Sequence, residues 1–202
     1  FNGGSYLEFQ NCGIIGNSAN IGGGVMVEGQ ASFWMNKTLV TGNTANQSVG
    51  AIGLGSSGEK YITNSTISEN NGPNAGGVQI WNGDVAVVNS ILWNNTPAND
   101  YMNVGGGSAS AIYSTIGGGW DGEGNLDSDP LFKDPDNGDF TLSSDSPCKD
   151  AGIADWDGDG VEDVTDYNGS APDMGAFELQ MAAPSDFSLF ASSNYVVITW
   201  LE

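Results

Sequence analysis

Asn64-Ser65-Thr66-Ile67-Ser68-Glu69-Asn70-Asn71, followed shortly by Gly76-Gly77-Val78-Gln79-Ile80, is the stretch that decides the fold, because the same order of residue types returns along the chain. An Asn or Tyr followed three positions later by Ile or Leu recurs five times, as Asn11/Ile14, Asn36/Leu39, Asn64/Ile67, Asn89/Leu92 and Tyr113/Ile116, in steps of 25, 28, 25 and 24 residues. The first four of these run into a polar turn containing Asn17, Asn43, Asn70 or Asn95. The first three turns lead through glycines into a second apolar strand, seen in Val25-Met26-Val27, Ile52-Gly53-Leu54 and Val78-Gln79-Ile80. Alternation within those strands has period 2, which sends successive side chains to opposite faces. No stretch sustains a period of 3.6, so helix is not expected.

A repeat near 25 residues built from short strands is one coil of a solenoid. A single coil cannot bury its own apolar face, but stacked coils can, since each strand pairs with its counterpart about 4.8 Å away and like side chains form ladders. Asn17, Asn43, Asn70 and Asn95 are expected to stack at one corner, where Asn tolerates left-handed backbone angles and can bond the amide of the next coil. The expected fold is all-β, a right-handed parallel β-helix of about five coils over residues 1–120. A closing region follows over 121–180, and a different composition over 181–202.

Two sets of residues carry family resemblances. Gly22-Gly23-Gly24-Val25 with Gly42-Asn43-Thr44-Ala45, and Asn64 to Asn70, resemble repeats of right-handed parallel β-helix proteins of the pectate-lyase-like superfamily, and are similar to repeats of chlamydial polymorphic outer-membrane proteins. Asp129-Pro130-Leu131-Phe132, Asn137 to Leu142, Ser146 to Gly152 and Asp173 to Glu178 resemble the carboxy-terminal closing region of large secreted bacterial β-helix proteins. The resemblance implies fold and an extracellular habit far more than it implies a reaction. Pro184 to Leu189 and Tyr195 to Trp200 resemble the first two strands of a fibronectin type III module, of which only a part fits in the remaining residues.

Charge narrows the partners. Four lysines, no arginine, no histidine and 25 acidic residues give a formal charge of −21, which argues against nucleic acid and anionic membrane surfaces. No apolar run approaches a membrane-spanning length and Phe1 opens no signal peptide, so the chain reads as a mature product or a fragment. Cys12 and Cys148, some four or five coil spacings apart unless the tail folds back, are expected to be two buried thiols rather than a bridge.

The strongest local motif is Asp155-Trp156-Asp157-Gly158-Asp159-Gly160-Val161-Glu162-Asp163-Val164-Thr165-Asp166. Counted from Asp155, carboxylates fall at positions 1, 3, 5, 9 and 12, with a glycine at 6 and the Val161 carbonyl at 7, which is the spacing that wraps a hard cation in oxygens. Asp155, Asp157, Asp159, Val161, Asp163 and Asp166 are therefore the candidate Ca²⁺ ligands. The loop resembles those of dockerins and thrombospondin-type repeats, although no helix flanks it and Glu162 stands where an apolar residue is usual. An acidic surface turn is the alternative; Asp134, Asp136 and Asp139 are expected to form such an Asx-rich turn.

Catalysis finds little support. A lyase needs a basic residue beside its substrate carboxylate, yet Lys37, Lys60, Lys133 and Lys149 are scattered, with only Lys37 and Lys60 placed to share a side of adjacent coils. Glu8, Glu28, Glu59, Glu69, Asp84 and Asp100 occupy different phases of the repeat, unlike the aligned carboxylates of a glycosidase. Trp34, Tyr61, Trp81 and Trp93 are candidate platforms for sugar rings, with stacked core as the alternative. The chain is thus expected to be a structural or adhesive module with polysaccharide, or further copies of itself, as partner. Two alternatives are the end piece of a polysaccharide lyase or hydrolase with catalytic coils upstream, and a filament or surface-layer subunit. The stretch from Phe1 to Asn11 starts in mid-repeat and is expected to be covered by other residues or another chain.

Overall fold

A computed structural model describes residues 5–96 and 103–179, together with the backbone of strands Phe187–Ser192 and Tyr195–Trp200. It is a β-solenoid of about four turns, made of parallel sheets, with one short 3-10 turn at Pro135–Asn137 among the described residues. Five rungs enclose about four complete turns, one fewer than the five coils read from the repeats.

The first sheet stacks Tyr6–Gln10, Ser32–Asn36, Lys60–Thr63, Asp84–Val88 and Ser108–Ile112. The second stacks Gly13–Ile15, Leu39–Thr41, Thr66–Ser68, Ile91–Trp93 and Thr115–Ile116. The third stacks Val25–Val27, Ile52–Leu54, Val78–Ile80 and Asn103–Val104. Register partners run Ile14, Val40, Ile67, Leu92, Ile116 along the second sheet. Phe9, Met35, Ile62, Val87, Ala111 run along the first. Both ladders line the interior, so burial of like on like in successive turns is what holds the solenoid together.

The register corrects the alignment of the second coil by one residue. Asn36 pairs with Gln10 and Thr63, so Lys37 is the residue equivalent to Asn11 and Asn64. Lys37 carries the positive φ of 48° that its counterparts Asn11, Asn64, Asn89 and Tyr113 also adopt. The spacings between coils are accordingly 26, 27, 25 and 24 residues. Asn favours left-handed backbone, which is why the sequence points to the neighbouring Asn36 for this corner. The Asn36 side chain has another task, accepting at Oδ1 from Asn64 Nδ2 at 2.8 Å.

Two hydrogen-bonded ladders fix the corners. In one, Asn17, Asn43 and Asn70 each donate from Nδ2 to Oδ1 of the asparagine one coil on, ending at Asn95, and every step is 2.9 Å. The left-handed residues at this corner are not these asparagines but their predecessors Gly16, Gly42, Glu69 and Asn94. In the other ladder, the amides of Cys12, Thr38, Ser65 and Ser90 donate to the hydroxyls of Thr38, Ser65, Ser90 and Ser114. Each hydroxyl in turn donates to the carbonyl two residues back, and Cys12 Sγ does the same to Gln10 at 3.1 Å. Cys12 is thus a rung of a hydroxyl ladder, and it is exposed rather than buried. The glycines that lead into the third sheet serve close approach: a Cβ on Gly50 would lie 2.6 Å from the Asn71 backbone.

Residues 117–127 close the last rung. Ile116 donates to Leu126, Leu126 to Ser114, and Asn125 Nδ2 to the carbonyl of Ala111 at 2.8 Å. The chain then folds back along the outside of the second sheet. An antiparallel pair, Phe132–Asp134 with Asp139–Leu142, leads to Cys148 and Met174, which bury against Ile91 in a second core. Gly175 donates to the Asn89 carbonyl and Ala176 to Thr66 Oγ1, so this segment spans two successive coils. Gly175 has φ +102°, and a Cβ there would sit 2.8 Å from both Ile91 and Thr66. Cys148 is buried as expected, with Thr115 Oγ1 3.1 Å away, and burial pushes its thiol pKa up. The Asp134 to Asp139 turn is held by its own carboxylates, Asp134 accepting from Asn137 and Asp139 from Thr141. Strands Phe187–Ser192 and Tyr195–Trp200 pair with each other as an antiparallel hairpin.

Candidate functional site

Alternation on the first sheet turns Phe33, Met35 and Ile62 inward and presents Trp34 and Tyr61 outward as direct register partners. Their rings meet edge to face, centroids 5.2 Å apart and inclined by 69°. Tyr6 extends the row, 5.8 Å from Trp34. At the other end Trp156, from the closing region, lies 5.8 Å from Tyr61 at 46°. Trp34 remains 43% exposed. Glu8, the register partner of Trp34, and Asp163 complete a groove of about 250 Å³ with Gln10, Asn36 and Thr63.

Trp156 is the residue that sequence reading missed. It sits second in the acidic loop, an aromatic flanked by Asp155 and Asp157, and that placement was the available signal. Its ring reaches the solenoid because the tail doubles back. The main chain at Trp156 is fixed by donating its N–H to Asp163 Oδ2 at 3.0 Å.

The loop itself is tightly wound. Asp155 accepts from the amides of Gly158 and Gly160, Asp157 from Asp159, and Asp159 from Val161, all at 2.8–3.0 Å. Gly158 and Gly160 take φ of 76° and 89°, angles that glycine adopts without strain. Carboxylate oxygens of Asp155, Asp157 and Asp159 all lie within 4.8 Å of one another. Three hard oxygen donors at that spacing suit a divalent cation such as Ca²⁺. Of the other expected ligands, Asp163 accepts from the Trp156 amide and Asp166 forms an ion pair with Lys37. Lys37 also holds the Asp166 carboxyl below the usual range, through its hydrogen bond and then its charge. Val161 is exposed.

The four aromatic candidates do not share one face. Trp81 stands on the third sheet beside Met26 and Gly53, where a Cβ on Gly53 would come within 2.8 Å of its ring. Trp93 packs on the second core. Nor do the two lysines share a side. Lys60 belongs to the interior ladder between Phe33 and Val85, only 1% exposed, its Nζ donating to the Gly58 carbonyl at 2.8 Å. Burial pushes its pKa down. Lys37 is committed to Asp166, Lys149 approaches Asp150 at 4.0 Å, and Asp100 lies outside the described residues. Burial raises the pKa of Glu69, with Asp136 adding to the rise. Among the described residues no helix is long and apolar enough to cross a membrane. No family model matches the chain, and neither a curated protein nor a solved structure matches it.

Proposed function

We propose that this chain is an extracellular structural and adhesive module, a stiff acidic β-solenoid that holds polysaccharide on its aromatic groove and is stabilised by calcium in the Asp155 to Asp166 loop. The observation that carries it is the convergence of Trp34, Tyr61 and Trp156, from two coils and the closing region, on one concave surface. Aromatic faces bordered by amides and carboxylates are how proteins hold sugars, with apolar stacking for area and hydrogen bonds for orientation. The lack of histidine and arginine, and the commitment of Lys37 and Lys60 elsewhere, favour binding over lyase chemistry.

Within this reading the solenoid is right-handed and of the pectate-lyase-like type, and the hairpin Phe187–Ser192 with Tyr195–Trp200 opens a fibronectin-like module. The acidic composition suits secretion or attachment at a cell surface. A glycan array tests the binding: Trp34→Ala should abolish retention of any bound glycan while Trp81→Ala, on another face, leaves it intact. Binding that survives Trp34→Ala would end the groove hypothesis. Release of unsaturated uronates or reducing sugars from pectin, alginate or neutral glycans would overturn the non-enzymatic reading.

One observation favours a second role, assembly. Among the described residues, Tyr6–Gln10, Gly13–Ile15 and Val25–Val27 each have a strand neighbour on one side only, and Tyr6, Ile15 and Ile21 are exposed there. An edge of this kind accepts a further rung, from the same protein or another chain. Head-to-tail stacking of identical copies is opposed at the last rungs of the first and second sheets, which residues 117–127 bond at Ala111, Tyr113, Ser114 and Ile116. Light scattering that shows a non-aggregating monomer at high concentration would remove this role.

A further inference from the structure

The chemistry of the groove selects the class of sugar. Its rings are inclined to one another, by 69° for Trp34 and Tyr61 and by 46° for Tyr61 and Trp156, so they do not form a level platform. Neutral sugars stack best on a level row of open ring faces, whereas the exposed ring of Trp34, negative on its face and beside its register partner Glu8, suits a cation. Two carboxylates, Glu8 and Asp163, line the same groove. Among the described residues no cationic side chain lines it, the neighbouring Lys37 being paired with Asp166. A uronate would meet like charge at the rim and a field set by a net charge of −21.

We infer that the groove of Trp34, Tyr61 and Trp156 with Glu8 binds an amino sugar bearing a free ammonium group, as in a polysaccharide that has lost its N-acetyl groups. The ammonium lies against the rings and the Glu8 carboxylate, a charge-assisted contact stronger than a neutral one. Gln10 and Asn36 stand beside it as partners for ring hydroxyls. This rests on the glycan reading above and narrows it.

Calorimetric titration with three oligosaccharides of equal length tests it: a β-1,4-glucosamine oligomer, its fully N-acetylated form, and a β-1,4-glucose oligomer. The free amine should bind on the order of tenfold or more tighter than either neutral oligomer. Glu8→Gln, at an exposed position, should erase most of that preference, and Trp34→Ala should abolish binding. Trp34→Ala keeps the net charge, so amine binding that persists in it is diffuse attraction to an acidic surface and overturns the inference. Equal binding of all three oligomers also overturns it while leaving the glycan reading standing. Failure of all three to bind overturns the inference, and a glycan array on which nothing is retained removes the glycan reading as well.

Discussion

Lys37, at the left-handed corner of the second coil, pairs through Nζ with the Asp166 carboxylate of the closing region, tying the returning tail to a coil near the start of the solenoid. The Asp166 side chain is 76% exposed, so the pair is screened and contributes less than about 1 kcal/mol. Lys37→Met should lower stability by that small amount in dilute buffer and by less in high salt, read by urea denaturation. The Asp166 pKa is depressed in the folded state, so its contribution is present above the unfolded value of about 3.9 and is lost as pH falls through the lower folded value. A cost for Lys37→Met that grows below pH 3 would contradict this assignment.

Asn70 is fully buried and bonds in five directions. Its two Nδ2 protons are shared among the carbonyls of Val40 and Ser68 and Asn95 Oδ1, each 2.9 Å away, and its Oδ1 accepts from the amide and the side chain of Asn43. Asn70→Ala strands several buried polar groups, each costly without a partner, and should destabilise the protein by about 3 kcal/mol or more. Asn17→Ala, at the exposed end of the same ladder, should cost about 1 kcal/mol. Chemical denaturation of the two variants compares them, and equal losses would show that the ladder does not act through burial.

Lys60 sits where every other coil has an apolar residue, so its ammonium is a cost that the interior bears. Lys60→Met keeps the volume and removes the charge, and should raise stability by about 1 kcal/mol at neutral pH. Because the folded pKa is lowered, the penalty is full below that value and fades as pH rises from it toward the unfolded value of about 10.4. The advantage of the variant should therefore shrink with rising pH, as thermal melts at pH 7 and pH 10 would show. A variant less stable than the parent at pH 7 would mean that the bond to Gly58 outweighs desolvation.

Calcium should raise the melting temperature of the closing region. An ion at a hundred times its dissociation constant adds about 2.7 kcal/mol to the folded state. Asp157→Ala and Asp159→Ala should each remove the increment, since these carboxylates lie with Asp155 within 4.8 Å of each other, while leaving the upper coils folded. Scanning calorimetry with and without chelator decides it, and identical traces would dismiss the ion. Trp156→Ala should leave the calcium increment in place yet weaken sugar binding, because its ring packs beside Tyr61 while the Asp155, Asp157 and Asp159 carboxylates are held by backbone amides of the loop.

Sequence by itself determined the solenoid. A repeat near 25 residues with period-2 apolar strands has no other way to bury its faces, and the Asn17, Asn43, Asn70, Asn95 ladder follows from identical residues recurring at one phase. The winding of the Asp155 to Gly160 turn was likewise written locally, in short side chains that cap nearby amides. Tertiary structure decided the rest. Which residue takes the second corner, Asn36 or Lys37, depends on pairing with coils on either side, and a spacing that varies between 24 and 27 residues leaves that open by one. That Lys60 points inward follows from the same register. The return of the tail, which brings Trp156 to Tyr61 and Asp166 to Lys37, depends on Cys148 and Met174 finding the outer face of the second sheet at Ile91, a contact between residues far apart in the chain that carries no periodic signature.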